Sequence, residues 1–410
     1  MRNTAFFTVF LRDRRGFKNQ TGDCSILVFQ SNVWLDLSVM IILYITIGLL
    51  VIYSILIMFY RAGWNELAEF SPRDQQASTK LSVVIPARNE EDNIERLLQS
   101  LAAQTYPTNL FEVILVDDHS TDNTVAIAKK FEFVKIIRLQ FDNINSYKKK
   151  AIETGIAAAG GELIVTTDAD CVVPENWLIT IATLKEETKA LFIAAPVVIE
   201  NDASVVQTFQ ALDFMVLQGI TAASVQKRIH NMCNGANLAY ERKIFYDVNG
   251  FTGIDHIASG DDMLLMQKIS QRVPAGISYL LSKDAIVTTR AAKTWKEFFR
   301  QRIRWASKAT NYNDIKIFGA LFLVYFFNCS LLALFIACFW NAKLWLGFAA
   351  VLLAKIVIEL IFIYPVAKFY HKQDLLKWFP LFQPLHIIYT IIAGWLGTFG
   401  SVEWKGRKVK

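Results

Sequence analysis

Two aspartates separated by one residue follow a short apolar segment near the middle of the chain. The apolar run Leu163 to Val165 leads through two threonines to Asp168, Ala169 and Asp170. Alternate residues of an extended chain point the same way, so both carboxylates can face one hard cation. Mg²⁺ or Mn²⁺ needs few protein oxygens when a diphosphate completes its coordination shell. An Asp-x-Asp triplet is common, so its meaning depends on the elements around it.

Strand-like and helix-like segments alternate from Leu81 onward. Strand-like segments begin at Leu81, Glu112 and Val134, and helix-like segments follow Asn89, Thr124 and Lys149. This alternation predicts an α/β domain with a mostly parallel sheet covered on both faces. Ligands of such folds bind at the carboxyl edge of the sheet. We therefore expect four acids to gather there: Asp117, Asp118, Asp168 and Asp170.

The composition indicates a chain that is part soluble domain and part membrane protein. Hydrophobic residues make up 53% of the 410 residues, yet 20% are charged. The net charge of +6 comes without a basic stripe interleaved with aromatic residues, which argues against nucleic-acid binding. Five cysteines without a CxxC spacing argue against a zinc site or a disulfide framework.

Four apolar segments are candidates for membrane helices. The first, residues 38–60, contains no charge and is long enough to cross a bilayer. Ile317–Trp340 and Leu344–Tyr364 follow the soluble domain, and the second of these holds Lys355 and Glu359, which we expect to pair or to face a protein-lined cavity. The last, Leu381–Gly400, is interrupted by proline and glycine, so the membrane domain over 317–400 has two or three helices.

The two ends of the chain carry weaker signals. Residues 1–37 have no secretory signal pattern, and we expect them to be dispensable, with Met40 able to serve as an initiator. Residues 401–410 form a basic tail. Most of the loop lysines agree with a cytoplasmic position of the α/β domain, and the basic tail lies on that side only if the last segment is re-entrant or interfacial.

Five motifs together make a specific resemblance. They are Pro86-Ala87-Arg88-Asn89-Glu90, Asp117-Asp118-His119-Ser120, Asp168-Ala169-Asp170, Gly260-Asp261-Asp262 and Gln301-Arg302-Ile303-Arg304-Trp305. In this order they resemble a membrane-anchored family 2 inverting glycosyltransferase, related to polysaccharide synthases and ceramide glucosyltransferases. The resemblance implies a GT-A domain over residues 78–314 that ends in an interfacial helix. A dinucleotide-binding enzyme is the rival, but no GxGxxG turn follows the first strand.

The resemblance assigns roles at the donor side of the site. Asp118 would bind the uracil ring, and Glu90 would border the same pocket with the turn that holds Pro86 and Ala87. Asp170 would be the principal metal ligand, with Asp168 touching ribose or metal. Lys149 resembles the lysine that contacts sugar or phosphate, although lysine replaces the family's more usual glycine nearby and leaves open which lysine acts. Asp117 is either part of this site or a cap on the strand end.

The remaining motifs concern the acceptor. By the same resemblance Asp262 is the general base that takes the acceptor proton, with Asp261 in support. Gln301, Arg304 and Trp305 share one helix face at i, i+3 and i+4. Arg304 would lie beside the diphosphate and Trp305 would support an acceptor. The same helix also reads as a basic amphipathic helix on the membrane surface, with a capping box from Thr294.

The expected protein is thus a multi-pass membrane glycosyltransferase with its catalytic domain on the cytoplasmic face. It would move a hexose or N-acetylhexosamine from a nucleoside-diphosphate sugar, with UDP favoured, to a membrane lipid or glycan. It would use Mg²⁺ or Mn²⁺. A processive polysaccharide synthase, with an unidentified export partner, is the alternative, and an inactive membrane scaffold is the remote one.

Overall fold

A computed structural model gives the architecture. It describes residues 21–72, 77–141, 144, 146–202, 204–229, 232–257, 259–307, 315–399, 402–404 and 407–409. Within these ranges Cys171, Cys233, Cys329 and Cys338 are free thiols, in line with the expectation from their spacing.

The residues between the first apolar helix and the last three alternate strands and helices. The strands are β1 Leu81–Ala87, β2 Phe111–Asp117, β3 Val134–Arg138, β4 Leu163–Thr166, β5 Cys171–Val172, β6 Phe192–Ala194, β7 Val197–Ile199, β8 Leu238–Glu241, β9 Ile277–Tyr279 and β10 Val287–Thr289. The helices, after α1 Thr21–Asn65, are α2 Ile94–Ala102, α3 Thr124–Ala128, α4 Tyr147–Ala157, α5 Trp177–Thr188, α6 Val205–Lys227, α7 Arg242–Asp247, α8 Met263–Arg272 and α9 Trp295–Ala306. The alternation expected from the sequence is therefore present.

The main sheet has seven strands in the order β3-β2-β1-β4-β8-β6-β9. Strands β3, β2, β1 and β4 are parallel, whereas β8 runs antiparallel to both β4 and β6. Because β8 breaks the parallel order, the sheet is mostly and not wholly parallel. A smaller sheet joins β5, β10 and β7 beyond the carboxyl end of β4.

The parallel strands are apolar because both of their faces are covered. In β1, Val84 packs towards helix α4, and Val83 and Ile85 belong to the core on the opposite face with helix α2. Gly155 of α4 allows close approach, since a Cβ there would lie 2.4 Å from a Val84 methyl carbon. This packing fixes where β1, β2 and β4 end, and so where the acids that follow them lie.

The membrane part consists of α1 and three C-terminal helices, α10 Ile315–Ala337, α11 Leu344–Phe369 and α12 Phe379–Phe399. Four segments are long and apolar enough to cross a membrane: Met40–Asn65, Ile315–Ala337, Leu344–Phe369 and Gln373–Thr398. Helix α1 begins at Thr21, before the expected start at Ser38, and Pro384 lies inside α12 without ending it. The basic tail forms a hairpin of β11 Val402–Trp404 and β12 Arg407–Val409.

Helix α6 joins the two halves of the protein. It is not among the four candidate membrane spans, and it packs against α1 and α11. Gly219 lets α11 approach, since a Cβ there would lie 2.7 Å from a Val366 methyl carbon. A single apolar core thus runs from Val84 of the sheet to Phe362 of the membrane helices. The site is built on elements of both halves.

Candidate active site

Acidic residues from separate strands and loops meet at one cavity. Asp118 follows β2, Asp168 and Asp170 follow β4, and Asp261 and Asp262 precede α8. Strands β1, β2 and β4 are parallel neighbours, so their carboxyl ends lie at the same edge. All five acids line a cavity of about 920 Å³. Of the four acids expected at this edge from the sequence, Asp118, Asp168 and Asp170 line the cavity, whereas Asp117 does not.

The turn after β1 forms one end of this cavity. Pro86, Ala87 and Glu90 line it beside Asp118. Arg88 holds this turn against β2, because its Nη1 donates to the Asp118 carbonyl at 2.8 Å and lies 3.6 Å from the Asp118 carboxylate. Four of the residues that the resemblance assigns to nucleotide binding therefore share this part of the cavity wall: Pro86, Ala87, Glu90 and Asp118.

Asp117 does not belong to the cavity wall. It is 4% exposed, and its Oδ1 accepts a hydrogen bond from the Ser120 backbone N–H at 3.1 Å. This is the geometry of a turn in which an aspartate satisfies the backbone two or three residues later. Of the two roles left open by the sequence, the structure favours the strand-end cap and argues against a nucleotide contact.

Lys149 also departs from its expected role. It is 2% exposed, and its ammonium donates to the carbonyls of Ile254 and Ile257 at 2.6 Å each and of Ser259 at 2.9 Å. These bonds occupy the three donors of a lysine. We therefore correct the assignment of Lys149 as a donor contact, because its charge secures the loop that leads to Asp261.

Lys148 is the lysine that faces the acids. Its Nζ lies 2.7 Å from Asp168 and 3.1 Å from Asp261. Burial works to lower the pKa of Lys148, but the charges of Asp168 and Asp261 outweigh it and hold that pKa above its ordinary value. Lys148 therefore stays charged at neutral pH and joins the strand acids to the acids before α8.

Asp262 begins helix α8 and faces the cavity. Its Oδ1 accepts from the Met263 N–H at 2.7 Å, and its Oδ2 accepts from the Gly235 N–H at 3.1 Å. Gly235 also has little room for a side chain, since a Cβ there would lie 3.1 Å from an Asp261 carboxylate oxygen. The small residues of this loop therefore allow the backbone to hold Asp262 in place. Asn234, Gly235 and Ala236 line the cavity.

Helix α9 supplies the opposite wall. Gln301, Arg304 and Trp305 all line the cavity. Half of the predicted capping box is present, since the Thr294 side chain accepts from the Glu297 N–H. The Glu297 side chain accepts from the N–H of Lys293, one residue before the N-cap, and so departs from the predicted reciprocal bond. Burial lowers the pKa of Arg304, against the opposing effect of the nearby aspartates. A second cation thus faces the acidic motifs.

Sequence reasoning missed the residues that hold α9 in place. The Asp213 carboxylate of α6 accepts from Arg302 Nε at 2.9 Å and lies 2.7 Å from its Nη2. Gln210 of the same helix binds both the carbonyl and the N–H of Ala292, just before α9. The only signal for them was the occurrence of polar residues on an otherwise apolar helix.

The charged pair in α11 behaves as expected. Lys355 donates to Glu359 at 2.6 Å and to Gln383 of α12 at 2.6 Å. Glu359 also lines the cavity. The cavity therefore extends from the acidic motifs to the apolar helices, where Glu359 places a charged group in its wall.

The residues present fit a metal that is shared with a ligand. Among the residues that the structure describes, no three His, Cys, Asp or Glu side chains form a group able to hold a metal by themselves. Asp168 and Asp170 nevertheless line one wall, and hard carboxylate oxygens are what Mg²⁺ and Mn²⁺ prefer. A cation there would draw its other ligands from phosphate oxygens or water.

The role of Lys149 leads to a stability prediction. Lys149→Met leaves three carbonyls without their donor, so we expect a loss of about 2 kcal/mol and an apparent melting temperature lower by roughly 4–8 °C. Lys150→Met is the matched control, because Lys150 pairs with Glu153 at the surface and such pairs contribute little. Differential scanning fluorimetry in detergent measures both. An unchanged melting temperature of Lys149→Met together with weaker binding of the sugar donor would support the original assignment of Lys149 as a contact to that donor.

Comparison with known proteins shows which family the residues around the site resemble. Residues 82–248 match the family described as Glycosyl transferase family 2. The chain is 27% identical over 252 residues to the probable glycosyltransferase YdaM of Bacillus subtilis, covering 59% of this chain and 58% of that protein. It is 26% identical over 229 residues to the glycosyltransferase AglE of Haloferax volcanii, covering 55% of this chain and 71% of that protein.

A solved structure shares the fold. The mannosyltransferase PcManGT from Pyrobaculum calidifontis, in complex with GDP-Man and Mn²⁺, superimposes with a TM-score of 0.56 at 17% identity, covering 88% of this chain and 98% of that one. The α/β part therefore has the GT-A fold that the sequence predicted. The chain spans only about three fifths of the length of YdaM. Residues 82–248 thus match a family 2 glycosyltransferase domain, within an α/β part of GT-A fold that is attached to helices apolar enough to span a membrane.

Proposed function

We propose that this protein transfers a hexose or N-acetylhexosamine from a nucleoside-diphosphate sugar, with UDP favoured, to a membrane lipid. The observation that carries the proposal is the continuity of the cavity of about 920 Å³. Residues of the nucleotide motifs, such as Asp118, line it together with residues of the membrane helices, such as Phe318 and Phe362. A water-soluble donor and a lipid acceptor can therefore meet inside one space.

The membrane part of the cavity is suited to a lipid chain. Helix α10 contributes a series of apolar side chains, among them Phe318, Leu321 and Phe322, and helix α1 contributes Leu56 and Ile57. Apolar walls of this kind favour an acyl or prenyl chain through the hydrophobic effect. A free glycan would leave these walls in contact with water.

A divalent metal, held by Asp170 with Asp168, would neutralise charge on the leaving diphosphate. The Mn²⁺ in the PcManGT complex supports this choice. Lys148 and Arg304 face the same acids and supply further positive charge where the diphosphate would lie. Asp118 and the turn at Glu90 would hold the base, as the resemblance implies.

Asp262 acts in the bond-forming step. The acceptor oxygen attacks the anomeric carbon as the bond from that carbon to the diphosphate oxygen breaks, and the electron pair leaves with the diphosphate. The acceptor proton passes to Asp262, whose position is maintained by the N–H groups of Met263 and Gly235. A single displacement of this kind inverts the anomeric configuration.

The two alternative functions, a processive synthase and an inactive scaffold, require features different from those of the cavity. A processive synthase must pass a growing polymer across the bilayer, whereas the cavity wall lined by Phe318 and Phe362 suits a chain of apolar carbons. An inactive scaffold would be expected to lack a key acid. Asp118, Asp168, Asp170, Asp261 and Asp262 are all present and line one cavity, which favours an enzyme.

The test of this function is direct. Purified protein is incubated with Mn²⁺, radiolabelled UDP- and GDP-sugars and a panel of membrane lipids, and the products are separated into lipid and polymer. We expect label on a lipid from a UDP-sugar. Label on a high-molecular-weight polymer would support the processive alternative, and no transfer from any donor would refute the proposal.

Two substitutions separate metal binding from base catalysis. Asp170→Asn should weaken Mn²⁺-dependent binding of UDP, since a ligand charge is lost. Asp262→Asn should still bind UDP and Mn²⁺ while kcat falls by roughly 10²–10⁴, the usual contribution of a general base. Calorimetric titration of UDP with Mn²⁺ measures the first effect and turnover the second. Near-normal turnover of Asp262→Asn would assign the base to Asp261.

We further propose that the C-terminal tail lies on the catalytic side, which is the cytoplasmic face because nucleotide sugars are cytosolic. Helix α12 lies alongside α9, with the rings of Phe298 and Tyr389 5.4 Å apart and Gly397 against Ala306, and β11 contacts α9. In sealed vesicles, a tag after Lys410 and a cysteine replacing the exposed Lys243 should be equally accessible to impermeant reagents. Opposite accessibility would place α12 across the membrane.

A further inference from the structure

A cluster of polar side chains lies among the membrane helices, away from the motifs that bind the donor. Its members are Tyr53 of α1, Lys355 and Glu359 of α11, and Gln383 of α12. Lys355 is fully buried and Gln383 is 2% exposed. Ionisable groups at this depth are costly to bury and usually indicate a function.

The cluster is closed on itself and electrically balanced. Glu359 Oε1 accepts from Tyr53 and from Lys355, and Glu359 Oε2 accepts from Gln383 Nε2 at 2.8 Å. Lys355 also donates to Gln383 Oε1 at 2.6 Å. The charge of Lys355 is therefore cancelled by Glu359. A carboxylate oxygen has more than one lone pair, so Oε2 can accept one further hydrogen bond from a ligand.

His386 extends this cluster along the cavity wall. It lies one turn after Gln383 on the same face of α12, and Glu359, Gln383 and His386 all line the cavity. His386 Nδ1 is buried and, in the part of the chain that the structure describes, has no hydrogen-bond partner. A buried polar atom without a partner is unfavourable, and a ligand in the cavity can remove that cost.

We infer that Glu359 and His386 form a subsite for an uncharged hydrogen-bond donor on the acceptor lipid, separate from the hydroxyl that receives the sugar. This inference rests on the proposed function. The chemistry is that of a second hydroxyl or an amide N–H, because a carboxylate can only accept hydrogen bonds. Both ceramide-type and glycosyl-diacylglycerol lipids carry such a group beside the acceptor hydroxyl.

The charges of the subsite disfavour a phosphate. Lys355 is neutralised by Glu359, and the next cation along the wall, Arg302, is neutralised by Asp213. A lipid phosphate would meet the Glu359 carboxylate in a medium of low dielectric constant, where like charges repel strongly. An uncharged donor satisfies the same groups without that repulsion.

The experiment compares acceptors that differ at this group. The KM and kcat values are measured for ceramide, monohexosyl-diacylglycerol, dioleoylglycerol and a prenyl phosphate in mixed micelles. Dioleoylglycerol has the acceptor hydroxyl but no second donor. We expect ceramide or monohexosyl-diacylglycerol to exceed dioleoylglycerol in kcat/KM by about tenfold, the effect of one hydrogen bond, and the ratio between those two lipids tells which backbone is used.

His386→Phe is the diagnostic variant, since it keeps an aromatic ring beside Tyr389 and removes both ring nitrogens. It should raise the KM for the preferred lipid about tenfold and leave the KM for the nucleotide sugar and for dioleoylglycerol unchanged. Ile388→Ala, on the exposed face of α12, is the control and should alter none of these values.

The possible outcomes distinguish a failure of the proposed subsite from a failure of the proposed function. Transfer to lipids with an unchanged acceptor KM in His386→Phe overturns the subsite and leaves the proposed function standing. A uniform loss with all acceptors indicates a structural role and also overturns it. A prenyl phosphate used in preference to the uncharged lipids contradicts the charge argument, and the absence of transfer to any lipid refutes both proposals.

Discussion

The buried ion pair between Arg302 and Asp213 is the contact on which the arrangement of the site depends. Each side chain is 4% exposed. The Asp213 carboxylate also accepts from Tyr389, and the Arg302 guanidinium lies 4.1 Å from the Trp305 ring centre. One ion pair therefore joins α6, α9 and α12. Removing one partner would leave an uncompensated buried charge, which costs about 3–5 kcal/mol in comparable pairs.

This contact matters because the cavity has walls from two different parts of the protein. In the proposed function, the strand ends would supply the donor side, and α9 with the apolar helices would supply the acceptor side. A transfer reaction requires the two substrates to be aligned to within a fraction of an ångström. The alignment depends on the rigidity of α9, whose motif residues Gln301, Arg304 and Trp305 follow the position of Arg302. The membrane helices thus contribute to the geometry of the site as well as to anchoring.

The charge distribution explains how so many acids can share one space. Five aspartates of the sequence motifs line the cavity, and like charges in one space repel each other. Lys148 reduces this repulsion by lying between Asp168 and Asp261, and Arg304 faces the same group. The same cations lie where an anionic diphosphate would bind. In the membrane part, Lys355 and Glu359 follow the same rule of local pairing.

The sequence by itself determined the fold class, the membrane segments and most of the acids of the site. These follow from local rules: an apolar strand followed by Asp168 and Asp170 places them at the sheet edge, and the Thr294 N-cap starts α9. It also predicted that Lys355 and Glu359 would pair or face a protein-lined cavity, because they lie one helical turn apart in an apolar segment. Each of these conclusions needs only residues that are near one another in the chain.

Only the tertiary structure decided between neighbouring residues of the same type. Lys148 faces the acids and Lys149 binds three carbonyls of a loop about a hundred residues away, although the two are adjacent and chemically identical. Asp117 and Asp118 differ in the same way, since Asp117 caps a turn and Asp118 faces the cavity. The sequence also provided no indication that Asp213 would pair with Arg302 or that Gln383 would bind Lys355, since each pair joins helices that are distant in the sequence. Which way a side chain points depends on packing between remote elements, and no local pattern encodes it.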